Sequence, residues 1–309
     1  MDPGMAKISL EETKEALLRS GYLLEHRLET VLRKGGYYIE ANEAYPDPET
    51  GKPRELDIYA INAVKAGPEE FDFIFSVLLA ECVNNPQPIA FMTKRPQVGF
   101  LHHQEVRLAG LPVKVQNAKR YKSPDSLPEY LAMEKYHHYC KGRVSTQFCS
   151  FTEKKRQGGT EWMAAHEDHH FDSFRKLAAA VEYQSSEHFR NWRFGGKEFV
   201  NIEFYYPLLV VQGELLDVRQ ERTSLHVSPT HHVQYRMSLT TGQKQKTYQI
   251  DVVTERYFPR YLKVVNEELS RTARLLRRRH RPIRKAIEWI VRSARRYRSP
   301  EKIRAAMDI

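Results

Sequence analysis

The stretch that decides the fold is FDFIFSVLLAECVNN, residues 71–85 of a 309-residue chain. Up to Cys82 it is almost continuously apolar, which is typical of a strand buried on both faces of a sheet. The run ends at a carboxylate, Glu81, and Pro86 and Pro88 then break the strand. Because an isolated charge is costly to bury, Glu81 needs a partner. The end of this strand is therefore the first candidate site.

Outward from this strand, helical and strand-forming segments alternate. Residues 10–32 have helical periodicity that is broken at Ser20-Gly21, which fits two short helices or one kinked helix. Residues 56–61 alternate as a strand does. The later segments are a short strand at 89–92, a helix at 162–192, strands within 202–253 and a helix at 256–276. This order predicts an α/β or α+β fold, a mixed sheet flanked by helices with additional strands and a basic C-terminal helix.

Three acidic residues occupy suggestive places in these elements. Glu25 lies on the first helical segment, Asp57 inside the strand at 56–61, and Glu81 at the end of the apolar strand. Two carboxylates brought side by side by sheet pairing repel each other unless a cation lies between them. Oxygen ligands of this type suit Mg²⁺ or Mn²⁺. Such ions support phosphoryl chemistry by polarising the phosphate and generating hydroxide.

This helix–strand–Asp–strand–Glu order, over roughly residues 17–95, resembles the restriction-endonuclease-like PD-(D/E)xK nuclease superfamily. The resemblance implies a restriction-endonuclease-like mixed sheet and metal-dependent hydrolysis of nucleic-acid phosphodiester bonds. It also implies that Asp57 and Glu81 bind Mg²⁺ or Mn²⁺ with help from the Cys82 main-chain carbonyl. Glu25 would bind a second metal ion or a metal-bound water.

One position departs from the superfamily pattern. A Lys is expected two residues after the Glu, where it positions the attacking water and helps to deprotonate it, and this chain has Val83 there. Either Asn84 orients the water, or Lys94, just past the next strand, reaches back into the site. The alternative is a degenerate nuclease fold that binds nucleic acid, or acts as an interaction protein, without cleaving.

The histidines suggest a weaker, competing interpretation. Residues 166–170 read HEDHH and satisfy the H-E-x-x-H pattern, in which His166 and His170 would bind zinc and Glu167 would act as general base. The charged residues between the histidines favour a solvated helix start instead. The other histidine pairs are expected at the surface or in loops rather than as ligands; they are His102-His103, His137-His138 and His231-His232.

Basic residues are concentrated near the C-terminus. Residues 271–309 hold 14 Lys plus Arg against 3 Asp plus Glu, out of 49 and 39 in the whole chain, which predicts a basic appendage on a near-neutral body. After Pro282, apolar residues at helical spacing predict a basic amphipathic helix. Its charge suits nucleic acid, an anionic membrane or an acidic protein. Beside a nuclease-like body we expect nucleic acid, DNA in the first instance, contacted by Arg274, Arg277, Arg278, Arg279, Arg281, Arg284 and Lys285.

The expected organisation has three parts. Residues 1–95 carry the nuclease-like motifs, residues 96–268 elaborate the same domain or form a second small α+β unit, and residues 269–309 form the basic tail. No apolar run approaches the roughly 20 residues that span a bilayer. The first residues predict no secretory signal, and the three cysteines predict no disulfide framework. We therefore expect a cytoplasmic protein without a membrane span, and a homodimer or a complex with a partner protein is compatible with the sequence.

Overall fold

The computed structural model describes residues 7–20, 22–48, 50–95, 106–116, 124–156, 159–165, 168–190, 198–241 and 244–297. Within these ranges a large mixed β-sheet is flanked by helices, so the predicted fold class is confirmed. The α-helices of the described residues are α1 (Leu10–Arg19), α2 (Tyr22–Lys34), α3 (Leu127–Tyr130), α4 (Asp168–Arg190), α5 (Phe258–Arg278) and α6 (His280–Tyr297). Short 3-10 helices cover Met133–Lys135, His138–Cys140 and Glu255–Tyr257.

The strands that the structure describes follow the chain in fourteen segments. They are β1 (Tyr38–Pro46), β2 (Pro53–Lys65), β3 (Phe73–Asn84), β4 (Ile89–Lys94), β5 (Arg107–Leu111), β6 (Lys114–Val115), β7 (Asp125–Ser126), β8 (Val144–Arg156), β9 (Gly159–Ala165), β10 (Asn201–Gln212), β11 (Leu215–Glu221), β12 (Ser224–Thr230), β13 (His232–Thr241) and β14 (Lys244–Thr254). All but β6 and β7, which pair with each other, belong to one sheet.

The sheet has the order β1-β2-β3-β10-β14-β13-β8-β4-β11-β12, with β5 paired to β10 and β9 paired to β8. Strands β1, β2 and β3 form an antiparallel meander. Strand β10 then runs parallel to β3 along its whole length. The chain therefore makes a helix, three antiparallel strands and, after an insertion, helix α4 and a parallel strand. The predicted strands between residues 202 and 253 extend this same sheet.

Both faces of β3 are covered, which explains its continuous apolar sequence. Ile74 and Leu78 pack in one core with residues of α2, α5 and α6. Val77 and Leu79, which point the opposite way, pack in a second core with residues of α4. Because successive side chains of a strand alternate between faces, each face needs its own apolar set. Glu81 is the first residue of the run that brings a charge to the α4 face.

The described part of the basic C-terminal segment packs on the body. Helix α5 runs through the expected boundary at residue 268, and its buried face includes Leu262 and Leu276. In α6 the apolar stripe of Ile283, Ile287 and Ile290 is buried in the same core as α2 and β3. The stripe that made this helix amphipathic in sequence is what fixes it to the sheet.

Two regions differ from the sequence-based elements. Trp162 lies in β9 rather than in a helix, and α4 begins at Asp168. Residues 144–156 form β8, which the sequence did not predict. Most of β9 is exposed, so this hairpin lacks the apolar alternation that identifies a half-buried strand. Within the described ranges, no helix combines the length and the apolar character that a membrane crossing requires.

Candidate functional site

The candidate site forms at neighbouring positions of β2 and β3. The printed pairing of β2 with β3 ends at Ile58 and Ala80, so Asp57 and Glu81 each lie one residue beyond the last pair, and the charge of Asp57 acts on Glu81. The main-chain N–H of Cys82 donates to Asp57 Oδ2 at 2.7 Å and ties the carboxylate to the end of β3. The two acids that the sequence placed on separate strands therefore lie side by side.

A lysine from the facing helix completes this pair. Lys176 of α4 places its Nζ 2.5 Å from Glu81 Oε2. The helix is held in register by Phe174 and Leu177, which flank Lys176 and are both buried in the core under the sheet. Tyr45 of β1 adds a hydrogen bond from its hydroxyl to the Lys176 main-chain oxygen at 2.8 Å. Core packing and this bond together aim the ammonium group at Glu81.

The electrostatics couple Glu25 to the same site. Burial, then the charge of Asp57, raises the pKa of Glu25, and Lys176 pulls it the other way. Burial also raises the pKa of Asp57, against the opposing effects of the Cys82 N–H and of Lys176. For Glu81, burial and the nearby Asp57 charge raise the pKa to about 7 although Lys176 opposes them. Burial thus disfavours ionisation of all three acids, and Lys176 lowers the pKa of each of them.

The residues present fit a divalent cation. Glu81 Oε1 is buried and has no hydrogen-bond partner among the described residues. When ionised, the three carboxylates outnumber the Lys176 ammonium by two negative charges. A buried carboxylate oxygen without a partner is costly, and an oxygen-donor set of this kind is what Mg²⁺ and Mn²⁺ prefer. The prediction from the sequence is that Asp57 and Glu81 would hold such an ion.

The other expected site residues lie elsewhere or make other contacts. Lys94 is exposed at the end of β4, and β10, β14, β13 and β8 intervene in sheet order between β3 and β4, so the structure does not bring it to the acids. Asn84 donates through its side-chain amide to the Leu18 main-chain oxygen at 3.3 Å. Val83 lies partly buried against the α4-side core. The lysine beside the acids is Lys176.

The basic residues of α5 and α6 fall into two groups. Two of the expected phosphate contacts are directed at the body, because Arg279 donates to the Tyr130 main-chain oxygen and Arg284 to that of Glu198. The remaining five are exposed; they are Arg274, Arg277, Arg278, Arg281 and Lys285. Trp289, whose side chain is 55% exposed, lies one helical turn beyond Lys285. We call these five cations and Trp289, all exposed on α5 and α6, the basic face.

A second polar cluster lies between β14, α5 and the 3-10 helix at His138–Cys140. His138 is held between two carboxylates: its Nε2 lies 2.8 Å from Asp251 Oδ2, and its Nδ1 lies 2.9 Å from Glu268 Oε2. The His138 main-chain N–H also donates to Glu268, at 2.5 Å. Asp251 accepts from the Tyr261 hydroxyl at 2.7 Å and contacts His232 Nε2 at 2.7 Å. The sequence placed the pair His137-His138 at the surface or in a loop; in the structure His137 is buried and His138, largely buried, begins a 3-10 helix.

Burial and charge act in opposite directions within this cluster. Burial disfavours a charged His138, but the charges of Asp251 and Glu268 and hydrogen bonds to both raise its pKa to about 10. Burial lowers the pKa of the neighbouring His137 to about 4, against the pull of Glu268. Burial alone would raise the pKa of Asp251, but His138 and His232 hold it well below its usual range. In this arrangement each ring nitrogen of His138 faces a buried carboxylate.

A cleft of about 440 Å³ opens onto this second cluster. Its lining includes Thr93, His138, Lys141, Arg143, His232 and Glu268. The cluster is therefore buried on the core side and accessible on the other. Polar groups that converge on a cleft of this size are typical of a binding site for a small molecule or an ion.

Sequence reasoning missed Lys176 and the Asp251–Glu268 pair. The only signal for Lys176 was a cation next to the buried stripe of a helix, and for the second cluster the doublet His137-His138. Of the H-E-x-x-H pattern, His166 and Glu167 lie outside the described residues, and His170 is buried in α4 near the Phe148 ring.

Chemically, the first site offers carboxylates for a hard cation and an ammonium group that can donate hydrogen bonds to water or phosphate. The second offers imidazole nitrogens beside carboxylates. Comparisons with protein-family models, with curated proteins and with solved structures find no match for this chain.

Proposed function

We propose that this chain is a metal-dependent nuclease-like protein that hydrolyses phosphodiester bonds of nucleic acid. The observation that carries the proposal is the contact of Lys176 Nζ with Glu81 Oε2 at 2.5 Å, beside Asp57. The resemblance to the PD-(D/E)xK superfamily required a lysine near this carboxylate, and Val83 could not supply it. A lysine from another element of the fold provides the missing group.

Asp57 and Glu81 would hold Mg²⁺ or Mn²⁺, with the Cys82 main-chain carbonyl as a further ligand. When bound, the ion supplies Lewis-acid polarisation of the phosphate and makes a water more acidic. Glu25, on the helix facing the same strand ends, would orient water or hold a second ion. The partnerless Glu81 Oε1 and the excess negative charge support this assignment.

Lys176 has the role that the superfamily motif gives to its lysine. Its ammonium group can donate hydrogen bonds to the attacking water and to a phosphate oxygen at the same time. Because α4 is anchored by buried residues on both sides of Lys176, the group is held in place rather than tethered to a mobile loop. Positioning of this kind is how a side chain that does not bind the ion still accelerates the reaction.

The proposed substrate follows from the basic face. Arg274, Arg277, Arg278, Arg281 and Lys285 are exposed on helices that are themselves fixed to the sheet. Cationic side chains bind the phosphate backbone without regard to sequence. An exposed aromatic residue among them, Trp289, can stack on an unpaired base. DNA is the first substrate to test, and RNA the second.

A non-cleaving nucleic-acid-binding protein is the second candidate function. Val83 favours it, and so does the ion pair between Lys176 and Glu81, because an ammonium group can neutralise Glu81 without any metal ion. In that case the site would be a buried structural ion pair.

The deciding experiment is nicking of supercoiled DNA, and of labelled RNA, by the purified chain with Mg²⁺ or Mn²⁺. Asp57→Asn and Glu81→Gln should each abolish cleavage while the fold is retained, because both keep the side-chain shape and remove the charge. Glu182→Gln is the matched control, because Glu182 lies on α4 and also pairs with a lysine, Lys246 of β14. Cleavage by both site variants at the wild-type rate would reject the site, and binding without cleavage by the wild type would favour the second function.

A further inference from the structure

The buried histidine pair carries an inference that does not depend on the nuclease proposal. His137 is 1% exposed, and its Nε2 has no hydrogen-bond partner among the described residues. Glu268 Oε2 lies 3.7 Å from this nitrogen, which is too long for a hydrogen bond. A buried ring nitrogen of this kind is costly unless something else satisfies it.

His137 Nε2 converges with two further donor atoms. One ligand atom each of His137, His138 and Glu268 lies within 4.8 Å of the others. The surroundings also suit a cation, because Asp251 and Glu268 are buried carboxylates that both contact His138. A dication in place of the ring proton would balance both carboxylates.

We propose that His137 Nε2, His138 Nδ1 and the Glu268 carboxylate bind a zinc-class divalent metal ion beside the 440 Å³ cleft, which His138 and Glu268 line. Two imidazoles and one carboxylate suit first-row transition metals, whereas Mg²⁺ prefers oxygen ligands alone. The site is separate from Asp57 and Glu81, since it is built on β14, α5 and the 3-10 helix at His138–Cys140.

The surroundings of His138 are those of a supported ligand. Its other nitrogen, Nε2, contacts Asp251, and Asp251 is held in turn by Tyr261 and His232. A carboxylate on the far nitrogen of a metal-binding histidine fixes the ring and makes it a better ligand. Asp251 is therefore a positioning residue for His138. Because Glu268 and His138 also line the cleft, a coordination position remains accessible to water or a small ligand.

Metal binding changes where the protons lie on the imidazole rings of His138 and His137. The proton on His138 Nδ1, now shared with Glu268, leaves to solvent when the metal takes its place. The Tyr139 main-chain N–H donates to His137 Nδ1 at 3.2 Å, which leaves the proton of that ring on Nε2. Coordination through Nε2 moves this proton to Nδ1 and breaks that long contact. One weak hydrogen bond is thus exchanged for a metal bond.

Zinc binding to the full chain tests the proposal. Protein stripped with a chelator is titrated with Zn²⁺ against a chromophoric competitor, and we expect one tight site per chain that Mg²⁺ does not fill. His137→Gln and Glu268→Gln should each weaken Zn²⁺ binding by about 100-fold or more, because even a supporting residue is worth about 10- to 100-fold. His226→Gln, at an exposed histidine of β12, should leave it unchanged.

Two further measurements separate this site from others. The Asp57→Asn, Glu81→Gln double variant and the His166→Gln variant should both keep the tight site, which excludes the nuclease-like acids and the H-E-x-x-H pattern. X-ray absorption of the wild-type zinc complex should show two imidazole ligands, a result that needs no folded variant. The absence of a one-to-one site, fewer than two imidazoles, or equal binding by His137→Gln, Glu268→Gln and His226→Gln overturns the proposal.

Discussion

Val83 lies two residues after Glu81 on β3, so the two side chains point to the same face of the sheet. Helix α4 covers this face, and Val83 packs against the core beneath it. An ammonium group at position 83 would therefore have to enter the space that α4 already lines. In this chain the cation comes from α4 itself, through Lys176. Lys176 thus brings to the acids the positive charge that a lysine at position 83 would have brought, but from a different element of the fold.

Lys176→Met should lower cleavage by about 100-fold or more, the usual scale for removing a positioned acid–base group. Met keeps most of the side-chain length and loses the charge, so α4 should stay in place. Lys246→Met is the matched control. Lys246 is buried to a similar extent as Lys176, and it makes an ion pair with Glu182, which lies on the same helix as Lys176. Adding Val83→Lys to Lys176→Met should restore part of the activity. If the wild type cleaves and Lys176→Met cleaves at the same rate, Lys176 takes no part in the reaction.

The raised pKa of Glu81 predicts how the stability of the metal-free chain depends on pH. Burial and Asp57 raise this pKa from 4.5 to about 7, so between these values the folded chain holds a proton that the unfolded chain has lost. Stability should therefore fall as the pH rises from 4.5 to about 7, by up to about 3 kcal/mol. Urea unfolding in a chelating buffer at several pH values measures this, and Glu81→Gln should flatten the profile. Parallel profiles for the two proteins would contradict the assignment.

The residues of the site were predictable to different degrees. Asp57 and Glu81 could be identified because they lie on β2 and β3, which follow each other in the chain and pair with each other. Lys176 lies 95 residues from Glu81, and their contact depends on how α4 packs on the sheet. The contact between His138 and Glu268 spans 130 residues and joins a 3-10 helix to α5. Contacts of this range are decided by tertiary packing, which no local pattern records.

At the scale of elements, helix α6 shows how one pattern allowed two outcomes. Its apolar stripe and basic opposite face were both evident from the sequence, but the stripe could have faced a membrane, a partner or the body. In the structure Ile283, Ile287 and Ile290 are buried against the body. Periodicity identifies the face that will be buried and leaves its partner open.

Ile287→Ala should destabilise the chain by about 2 to 5 kcal/mol, because it leaves a cavity in the core shared by α6 and the sheet. Trp289 lies two residues away on the same helix and is 55% exposed. Trp289→Ala should therefore change stability by no more than about 0.5 kcal/mol. Chemical denaturation of both variants measures the difference. Equal effects would mean that α6 does not pack on the body in solution.

Strands β8 and β9 illustrate the opposite case, an element whose sequence carries little signal. Residues 152–155 of β8 are exposed, and so is β9 except at its last residue. A two-stranded extension with both faces in solvent needs no apolar alternation, so periodicity could not predict it. Strands β3 and β10, by contrast, were found because burial on two faces demands a continuous apolar run.

At the scale of the whole molecule, the formal net charge of +10 is carried by helices that are fixed to the core. Truncation before α6 would therefore expose the apolar surface beneath it and test folding rather than binding. Substitution of exposed charges is the cleaner test of the basic face. Arg279 and Arg284 are left unchanged in such a test, since they hold α5 and α6 to the body.

Replacing the five exposed cations of the basic face with Gln should weaken nucleic-acid binding equally on all sequences, because phosphate contacts carry no base information. Each lost contact with duplex DNA removes about 0.9 from the slope of log K against log salt, so the full set should flatten it by about 4 to 5. The control removes five exposed cations from other parts of the chain, Lys52, Lys135, Lys154, Lys155 and Arg222. Both variants have the same net charge, so a difference in slope reports where the phosphates lie. If the two slopes are equal, the attraction is due to net charge alone, and α5 and α6 do not form the binding surface.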